Sequence, residues 1–241
     1  MFGARGTHPG HDTCCLVHLV NSREKSGFRL NPRNDQLIAG AKQLGVCITE
    51  AQHQQLLGYV ALVEKWNRSI NLVSRRDIDR LRSRHVLDSL SVSAHLHGRT
   101  ILDLGSGAGL PGIPLAIVNP QRQFTLCDRM AKRIRFLRVV KSQLELANVD
   151  LLEQDFGAAA TPKCFDTAVA RAVAPAGKLW PMLEPALNSG GRVVVFSSTQ
   201  METADPVAVG AGEDITYHYR TERVAIPGSD QPHVVEVLER P

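Results

Sequence analysis

The apolar positions between residues 33 and 98 recur with the period of an α-helix. In "DQLIAGAKQLGV" they fall on one stripe, and Gly45 can end the helix. Thr49 then precedes "EAQHQQLLGYVALVEKW", where Gln52 completes a capping-box start. The apolar face of this second helix consists of Leu56, Tyr59, Val60, Val63 and Trp66. One or two further helices follow in "RDIDRLRSRHVLDSLSVSAHL", so we predict a helical region over residues 33–98, behind a loose extension over residues 1–32.

The rhythm changes after Gly98, where short apolar runs begin to alternate with helical segments. The runs are "TILDL", "QFTLCD", "VDLLEQD", "FDTAVAR" and "GRVVVFS", and helical patterns stand between most of them. Such alternation is typical of βαβ units, in which a parallel sheet carries helices on both faces. The last two runs, "DITYHYRTERVAI" and "HVVEVLE", have no helix between them and predict an antiparallel hairpin at the sheet edge. Residues 99–241 are therefore expected to form one α/β domain.

Composition and cysteine usage narrow the class of protein. The chain is 43% hydrophobic and 22% charged, which is the balance of a soluble globular protein. Its five cysteines are odd in number and show no C-x-x-C or Cys/His ligand spacing, so we read them as reduced thiols. The apolar stretch "CCLVHLV" near the N-terminus is too short to span a membrane. We expect a cytoplasmic monomer that binds no membrane and holds no metal.

The formal net charge of +4 is concentrated in two runs. Lys65 to Arg84 contains seven basic residues against two acids, and Arg129 to Lys141 contains six with no acid. Clusters of this kind attract polyanions such as nucleic acid. The alternative is a solvated helix face with long side chains, and either run alone favours that alternative.

The stretch "ILDLGSGAGLPGI" is a glycine loop between the first predicted strand and the first helix of the α/β domain. Glycine has no Cβ, so such a loop lets the backbone approach a ligand closely. Asp128 ends the second strand, twenty-three residues after Gly105, where a carboxylate can accept hydrogen bonds from ribose hydroxyls. Asp128 could instead cap the next helix. Asp155 ends the third strand, where it could approach a purine or simply belong to a turn.

Two cofactors fit a glycine loop followed by a strand-end acid. A dinucleotide needs amide donors at the helix N-terminus for its pyrophosphate, but Pro111 and Pro114 remove donors from that first turn. Asp103 stands two residues before Gly105 and gives the pattern D-x-G-x-G-x-G, which is associated with S-adenosylmethionine enzymes. No Tyr-x-x-x-Lys typical of a dehydrogenase is found. S-adenosyl-L-methionine is the better interpretation.

Several motifs together resemble one protein family. "KWNRSINLVSRRD", "RHVLDSL", "LDLGSGAGLPGIPLAI", "FTLCDRMAKRIRFL" and "FDTAVARAVAP" are similar, in this order, to the motifs of the RsmG family, also called GidB. This is the family of bacterial 16S ribosomal RNA guanine-N7 methyltransferases. The resemblance implies a class I S-adenosylmethionine-dependent methyltransferase, with a Rossmann-like, seven-stranded, mostly parallel sheet, a C-terminal antiparallel hairpin and an N-terminal helical region. It also implies that the partner is 16S rRNA in the small ribosomal subunit.

The resemblance, with the pattern of the loop, assigns candidate site residues. The residues expected at the cofactor are Gly105, Gly107, Gly109, Leu110, Asp128, Phe156, Gly157 and Arg171. Within this set Phe156 and Gly157 would flank the adenine, and Arg171 would hold a phosphate or the cofactor's carboxylate. The two basic runs, in turn, supply the residues expected at RNA phosphates, which are Arg75, Arg76, Arg135 and Arg138. His85 and Asp88 could orient the substrate or join the helical region to the sheet.

The chemistry of guanine N7 leaves the catalytic set empty. N7 carries a lone pair in the neutral base, so no proton must leave before methyl transfer, and we nominate no general base. The chain departs from the family pattern at Arg129, Ser197, Ser198 and Pro232, on the side expected to face RNA. Two other functions are therefore considered: an RNA- or ribosome-binding protein that keeps the fold with little turnover, and a methyltransferase acting on a small molecule or a protein.

Overall fold

The computed structural model describes residues 32–74, 78, 80–156, 165–197, 217–229 and 232–240, with the side chains of residues 32–35, 82–83 and 197 excepted. Within these ranges the α-helices are α1 (Pro32–Gln43), α2 (Glu50–Asn67), α3 (Val86–Ser91), α4 (Gly112–Val118), α5 (Ala131–Gln143) and α6 (Ala176–Leu183). A π-helical turn (Leu81–His85) leads into α3, and 3-10 turns follow α3 (Ser93–His95) and α6 (Glu184–Ala186).

The start of α2 is the capping box that the sequence predicts. The backbone N–H of Gln52 donates to Oγ1 of Thr49 at 3.2 Å, and the backbone N–H of Thr49 donates to Oε1 of Gln52 at 2.9 Å. Two N–H groups at the helix end are thereby satisfied by side chains. The helical region ends before β1 without any strand among its described residues, as the apolar period indicates.

Seven strands form one sheet in the order β3-β2-β1-β4-β5-β7-β6. Their bounds are β1 (Thr100–Leu104), β2 (Gln123–Asp128), β3 (Val149–Glu153), β4 (Phe165–Arg171), β5 (Leu187–Ser197), β6 (His218–Val224) and β7 (His233–Glu239). The first five run parallel, and β7 pairs antiparallel with both β5 and β6. The predicted parallel sheet with a closing antiparallel hairpin is confirmed.

The two faces of the sheet are covered by different helices. Alternate strand residues point to opposite faces, so neighbours in β1 such as Ile101 and Leu102 belong to separate apolar clusters. The cluster around Ile101 also contains the buried residues of α1 to α5. The cluster around Leu102 contains those of α6. The helical region therefore shares one core with a face of the sheet, and each large apolar side chain buried there contributes roughly 1.5–3 kcal/mol.

Helix α2 is fastened to the two helices that follow β1 and β2. Nε2 of Gln52 donates to the carbonyl of Ile117 in α4 at 3.0 Å, and Nε2 of Gln55 donates to the carbonyl of Leu144 behind α5 at 2.9 Å. The rings of Trp66 and Phe136 meet with centroids 5.8 Å apart. These contacts fix the helical region beside the loop that joins β1 to α4.

Helix α5 ends earlier than its apolar pattern predicts. The stretch "AKRIRFLRVVKSQLELA" predicts a helix over residues 131–147, but the helix ends at Gln143. Glu145 takes a left-handed backbone with φ 53°, and the N–H of Leu146 donates to the carbonyl of Lys141 at 3.0 Å. This is the Schellman arrangement, in which the chain leaves the helix and returns an apolar residue to the core. A glutamate occupies the position where glycine is usual, so the stop carries no glycine signal.

Candidate cofactor site

The glycine loop lies at the carboxyl edge of the sheet, between Leu104 at the end of β1 and Gly112 at the start of α4. Strand β1 is flanked by β2 on one side and by β4 on the other. The chain crosses from one side of β1 to the other between β3 and β4, so the loop stands at the switch in strand order, where ligands of such sheets bind. Gly105 and Gly107 have φ of +67° and +56°, which favours glycine at both positions.

The glycines of the loop differ in what surrounds them. A Cβ on Gly107 would meet nothing closer than the carbonyl of Gly105 at 3.8 Å, so this side of the loop is open. A Cβ on Gly109 would come within 2.6 Å of Ile113 and 2.9 Å of Leu137, and one on Gly112 would strike the Asp103 carboxylate. The open side at Gly107 can receive a ligand. At Gly109 and Gly112, by contrast, the space of a side chain is already filled by neighbouring protein side chains.

Asp128 binds the glycine loop directly. Its Oδ2 accepts from the backbone N–H of Gly107 at 2.9 Å and from Nη1 of Arg133 at 3.1 Å. Its Oδ1 accepts from the N–H of Met130, the residue before α5, at 2.9 Å. The side chain is only 2% exposed. The alternative role at the start of the next helix is thus present in the structure, together with a tether to the loop; the contact with ribose hydroxyls stays a prediction.

Asp103 supports the far end of the same loop. Its carboxylate is fully buried, and Oδ2 accepts from the N–H of Gly112 at 3.0 Å. Oδ1 has no hydrogen-bond partner among the described residues. Burial raises the pKa of this carboxyl to about 7. Asp103, the acid of the D-x-G-x-G-x-G pattern, therefore holds the end of the loop against the helix that follows.

Tyr59 is a site residue that the sequence pattern did not reveal. The hydroxyl of this fully buried side chain donates to the carbonyl of Ala108 at 2.8 Å, in the middle of the glycine loop. Burial raises the pKa of the phenol, which keeps it a donor. The available signal was weak: a tyrosine on an otherwise apolar helix face needs a partner for its hydroxyl when it is buried. The contact makes helix α2 part of the support of the loop.

Leu110 and Phe156 are both buried near the carboxyl edge, Leu110 in the loop and Phe156 three residues after β3. Asp155, beside Phe156, lies 3.9 Å from the guanidinium of Arg129 in an exposed ion pair. Its proposed approach to a purine stays a prediction. Gly157, Arg75 and Arg76 lie outside the described residues.

Arg171 ends β4 and is engaged by the helical region. Its Nη1 donates to Oδ2 of Asp88 at 3.0 Å, and its Nη2 lies 3.0 Å from Nδ1 of His85. Nδ1 of His233, at the start of β7, contacts the other Asp88 oxygen. Asp88 and His85 thus join the helical region to the sheet, one of the two roles predicted for them. A role of Arg171 towards a phosphate or a cofactor carboxylate stays a prediction.

The first turn of α4 shows which cofactor this loop suits. Pro111 and Pro114 carry no N–H, and the N–H of Gly112 is taken by Asp103. The N–H of Ile113 donates to the carbonyl of Gly109 at 2.8 Å. A pyrophosphate would need free N–H groups here, and these described residues offer none. The open backbone at Gly107 and the carboxylate of Asp128 beside it fit S-adenosylmethionine, which has no phosphate.

The described residues contain neither a membrane-spanning helix nor a cluster of metal ligands. No helix among them has the length and apolar content needed to cross a membrane. Likewise, no three histidine, cysteine, aspartate or glutamate side chains in the described ranges come together as a metal site.

The strand order, the hairpin and the position of the glycine loop define a class I S-adenosylmethionine-dependent methyltransferase fold. Among solved structures, a SAM dependent methyltransferase from Aquifex aeolicus shares 17% sequence identity at a TM-score of 0.49, over 74% of this chain and 97% of that one. The assignment to a family rests on sequence.

The model of the GidB family, described as rRNA small subunit methyltransferase G, matches residues 52–207. The Ribosomal RNA small subunit methyltransferase G of Shewanella amazonensis is 36% identical over 85% of this chain and 98% of that protein. The protein of the same name from Photobacterium profundum is 41% identical over 70% of this chain and 82% of its own length. The one from Serratia proteamaculans is 46% identical, over 55% and 65%. This chain belongs to the rRNA small subunit methyltransferase G family, and the resemblance seen in its motifs is confirmed.

The open side of the loop predicts the effect of Gly107→Val. The substitution places a branched side chain in the space left for the ligand and forces a valine into a left-handed backbone. We expect binding of S-adenosylhomocysteine to be lost in calorimetry while the far-ultraviolet circular dichroism remains that of a folded chain. Gly228→Val is the matched control, because Gly228 also has a positive φ and open surroundings, in the turn between β6 and β7. Unchanged affinity in Gly107→Val would refute the site.

The buried carboxyl of Asp103 predicts a pH-dependent stability. With its pKa raised from 3.8 to about 7, the folded chain keeps a proton that the unfolded chain has released between these values. The contribution of protonated Asp103 to the free energy of unfolding is therefore at its full value below about pH 4. It decreases as pH rises and is lost above about pH 7. Asp103→Asn removes the titration and keeps an oxygen that can accept from Gly112.

Urea unfolding measured across this interval tests the effect. The free energy of unfolding of Asp103→Asn relative to the wild type should rise with pH, by up to about 1.4 kcal/mol per pH unit, and then stay constant above about pH 7. A difference that does not change with pH would show that Asp103 titrates normally.

Proposed function

We propose that this protein transfers the methyl group of S-adenosylmethionine to N7 of a guanine in 16S rRNA of the small ribosomal subunit. The observation that carries the proposal is the tethered glycine loop, open at Gly107 and held by Asp128, in a chain of the rRNA small subunit methyltransferase G family. The relatives' names speak of small-subunit ribosomal RNA. The choice of guanine N7 is supported by the resemblance of the motifs.

The cofactor would lie along the backbone from Gly105 to Gly107, with its ribose at Asp128 and its adenine near Phe156. When bound, it supplies a methyl group on a positively charged sulfur. Asp128 already accepts three hydrogen bonds, so it is oriented before any ligand arrives. A carboxylate fixed in this way loses little entropy on binding a ribose hydroxyl.

Guanine N7 needs no proton removed, so the protein's contribution is orientation and the exclusion of water. Aligning two reactants in one site is worth up to roughly 7–11 kcal/mol of the barrier. The rigid supports of the loop serve this purpose, because Tyr59, Asp103 and Asp128 hold three of its residues by hydrogen bonds of 2.8–3.0 Å.

Helix α5 offers a surface for RNA phosphates. Its inner side chains Ile134, Phe136 and Leu137 are buried, whereas Arg135 and Arg138 are exposed and have no carboxylate partner among the described residues. The start of the same helix is bound to Asp128, so Arg135 and Arg138 lie along a helix that begins at the proposed cofactor position. Positive side chains here would hold a folded RNA in register without reading its sequence.

Methyl transfer to small subunits from a strain without its own enzyme tests the function. With tritiated S-adenosylmethionine the wild-type protein should label 16S rRNA, and borohydride reduction followed by aniline should cut the labelled RNA at the methylated guanine. Binding of subunits without labelling would favour the alternative of an RNA-binding protein with little turnover. Label in a protein or a small molecule, or labelled RNA that aniline leaves intact, would contradict the proposed substrate atom.

The exposed arginines of α5 predict a salt effect. Each phosphate contact releases counterions, so Arg135→Gln with Arg138→Gln should weaken binding to small-subunit RNA. The same double variant should reduce the slope of log K against log salt by about 1.4–1.8. Cofactor affinity should not change, because the loop and Asp128 are untouched. The control is Lys42→Gln with Arg99→Gln, which removes the same charge from exposed positions at the end of α1 and just before β1. Filter binding across a salt series measures these slopes. Equal slopes for the two double variants would show that α5 does not contact the RNA.

A further inference from the structure

The turn after β4 combines a strained backbone with an exposed apolar side chain. Ala172 has a φ of +55°, which is unusual for a residue other than glycine. Val173, the next residue, is 42% exposed. Among the described residues only Val173 and Ile38 are large apolar side chains with this degree of exposure. Strain of this kind persists only where the surroundings impose it, and it concentrates at functional sites.

Charged contacts hold this turn in place. Arg171, immediately before Ala172, is bound by Asp88 and His85 of the helical region. Asp88 is buried and is itself bound by His233 of β7. On the other side, the N–H groups of Lys178 and Leu179 donate to the carbonyl of Pro175 and begin α6 at once. The turn is therefore fixed at both ends, and the orientation of Val173 with it.

Val173 lies over the first glycine of the loop. A Cβ on Gly105 would come within 2.8 Å of Cγ2 of Val173. Strand β1 lies between β2 and β4, with Leu104 paired to Cys127 on one side and to Ala170 on the other. Asp128, the proposed ribose partner, comes directly after Cys127, and Val173 comes three residues after Ala170. The two therefore border the loop from opposite sides.

We propose that Val173 is the apolar surface against which the target guanine packs. This inference rests on the proposed function. The cofactor's ribose would occupy the Asp128 side of the loop, so the base that receives the methyl group must approach from the β4 side, where Val173 is exposed. A purine face laid on this side chain covers apolar area that is otherwise in water and excludes water from N7. Asp88 and Arg171 are positioning residues for this surface.

The test compares charged and conservative substitutions at Val173. Val173→Asp should lower kcat/KM for small subunits at least about tenfold, and Val173→Thr, which keeps the shape but replaces one methyl group with a hydroxyl, should lower it less. Val173→Ile should stay within about twofold of the wild type. The matched control is Ile38→Asp, which puts the same charge at the other exposed apolar position, on α1, and should leave kcat/KM unchanged.

Calorimetry with S-adenosylhomocysteine shows whether Val173 contacts the target guanine or the cofactor. All four variants should bind it within about twofold of the wild type. Val173 is exposed, so we expect Val173→Asp to fold, and thermal unfolding checks this. If Val173→Asp does not fold, the comparison of Val173→Thr with the wild type provides the test.

Three outcomes would overturn the inference. Cofactor affinity that falls in parallel with kcat/KM assigns Val173 to the cofactor. Unchanged kcat/KM in folded Val173→Asp and Val173→Thr, with an active wild type, removes Val173 from the site while the proposed function stands. A wild-type protein that methylates no RNA removes the proposed function and this inference with it.

Discussion

Hydrogen bonds that backbone N–H groups donate to two buried carboxylates determine the shape of the glycine loop. Asp128 binds Gly107 and Asp103 binds Gly112, so carboxylates of neighbouring strands hold the middle and the end of one connection. Glycines in left-handed conformations would otherwise give this segment great freedom, which a ligand would have to remove on binding. Tyr59 adds a third tether from helix α2. The helical region is therefore a structural support of the proposed cofactor site.

Helix α5 connects this loop to the proposed RNA surface. Arg133 of α5 reaches Asp128, while Arg135 and Arg138 point outward from the next turns. On the other side of β1, the network around Asp88 joins the helical region, β4 and β7 at the carboxyl edge. The glycine loop is thus held by contacts from both sides of β1. A rigid loop of this kind can orient two reactants without a general base.

Periodicity and loop chemistry predicted most of the fold, because they depend on neighbours in sequence. The capping box at Thr49, the five parallel strands and the closing hairpin are confirmed. The early end of α5 escaped prediction, since Glu145 takes a conformation usually signalled by glycine. The geometry of the candidate site was predicted in part, because the glycine loop and Asp128 stand together, and what they bind stays a prediction. The bond from Tyr59 to Ala108 and the ion pair of Arg171 with Asp88 join residues far apart in sequence. No local pattern records such pairs.

Calorimetric titration of the wild type and of Asp128→Ala with S-adenosylhomocysteine and with NADH tests the central claim most directly. The carboxylate-held loop should bind S-adenosylhomocysteine in the wild type and show no binding of NADH. Asp128→Ala should weaken binding of S-adenosylhomocysteine by about 1.5–3 kcal/mol, which is the contribution of a hydrogen bond to a charged group. Equal affinity in the variant and the wild type, or tighter binding of NADH than of S-adenosylhomocysteine, would contradict the account.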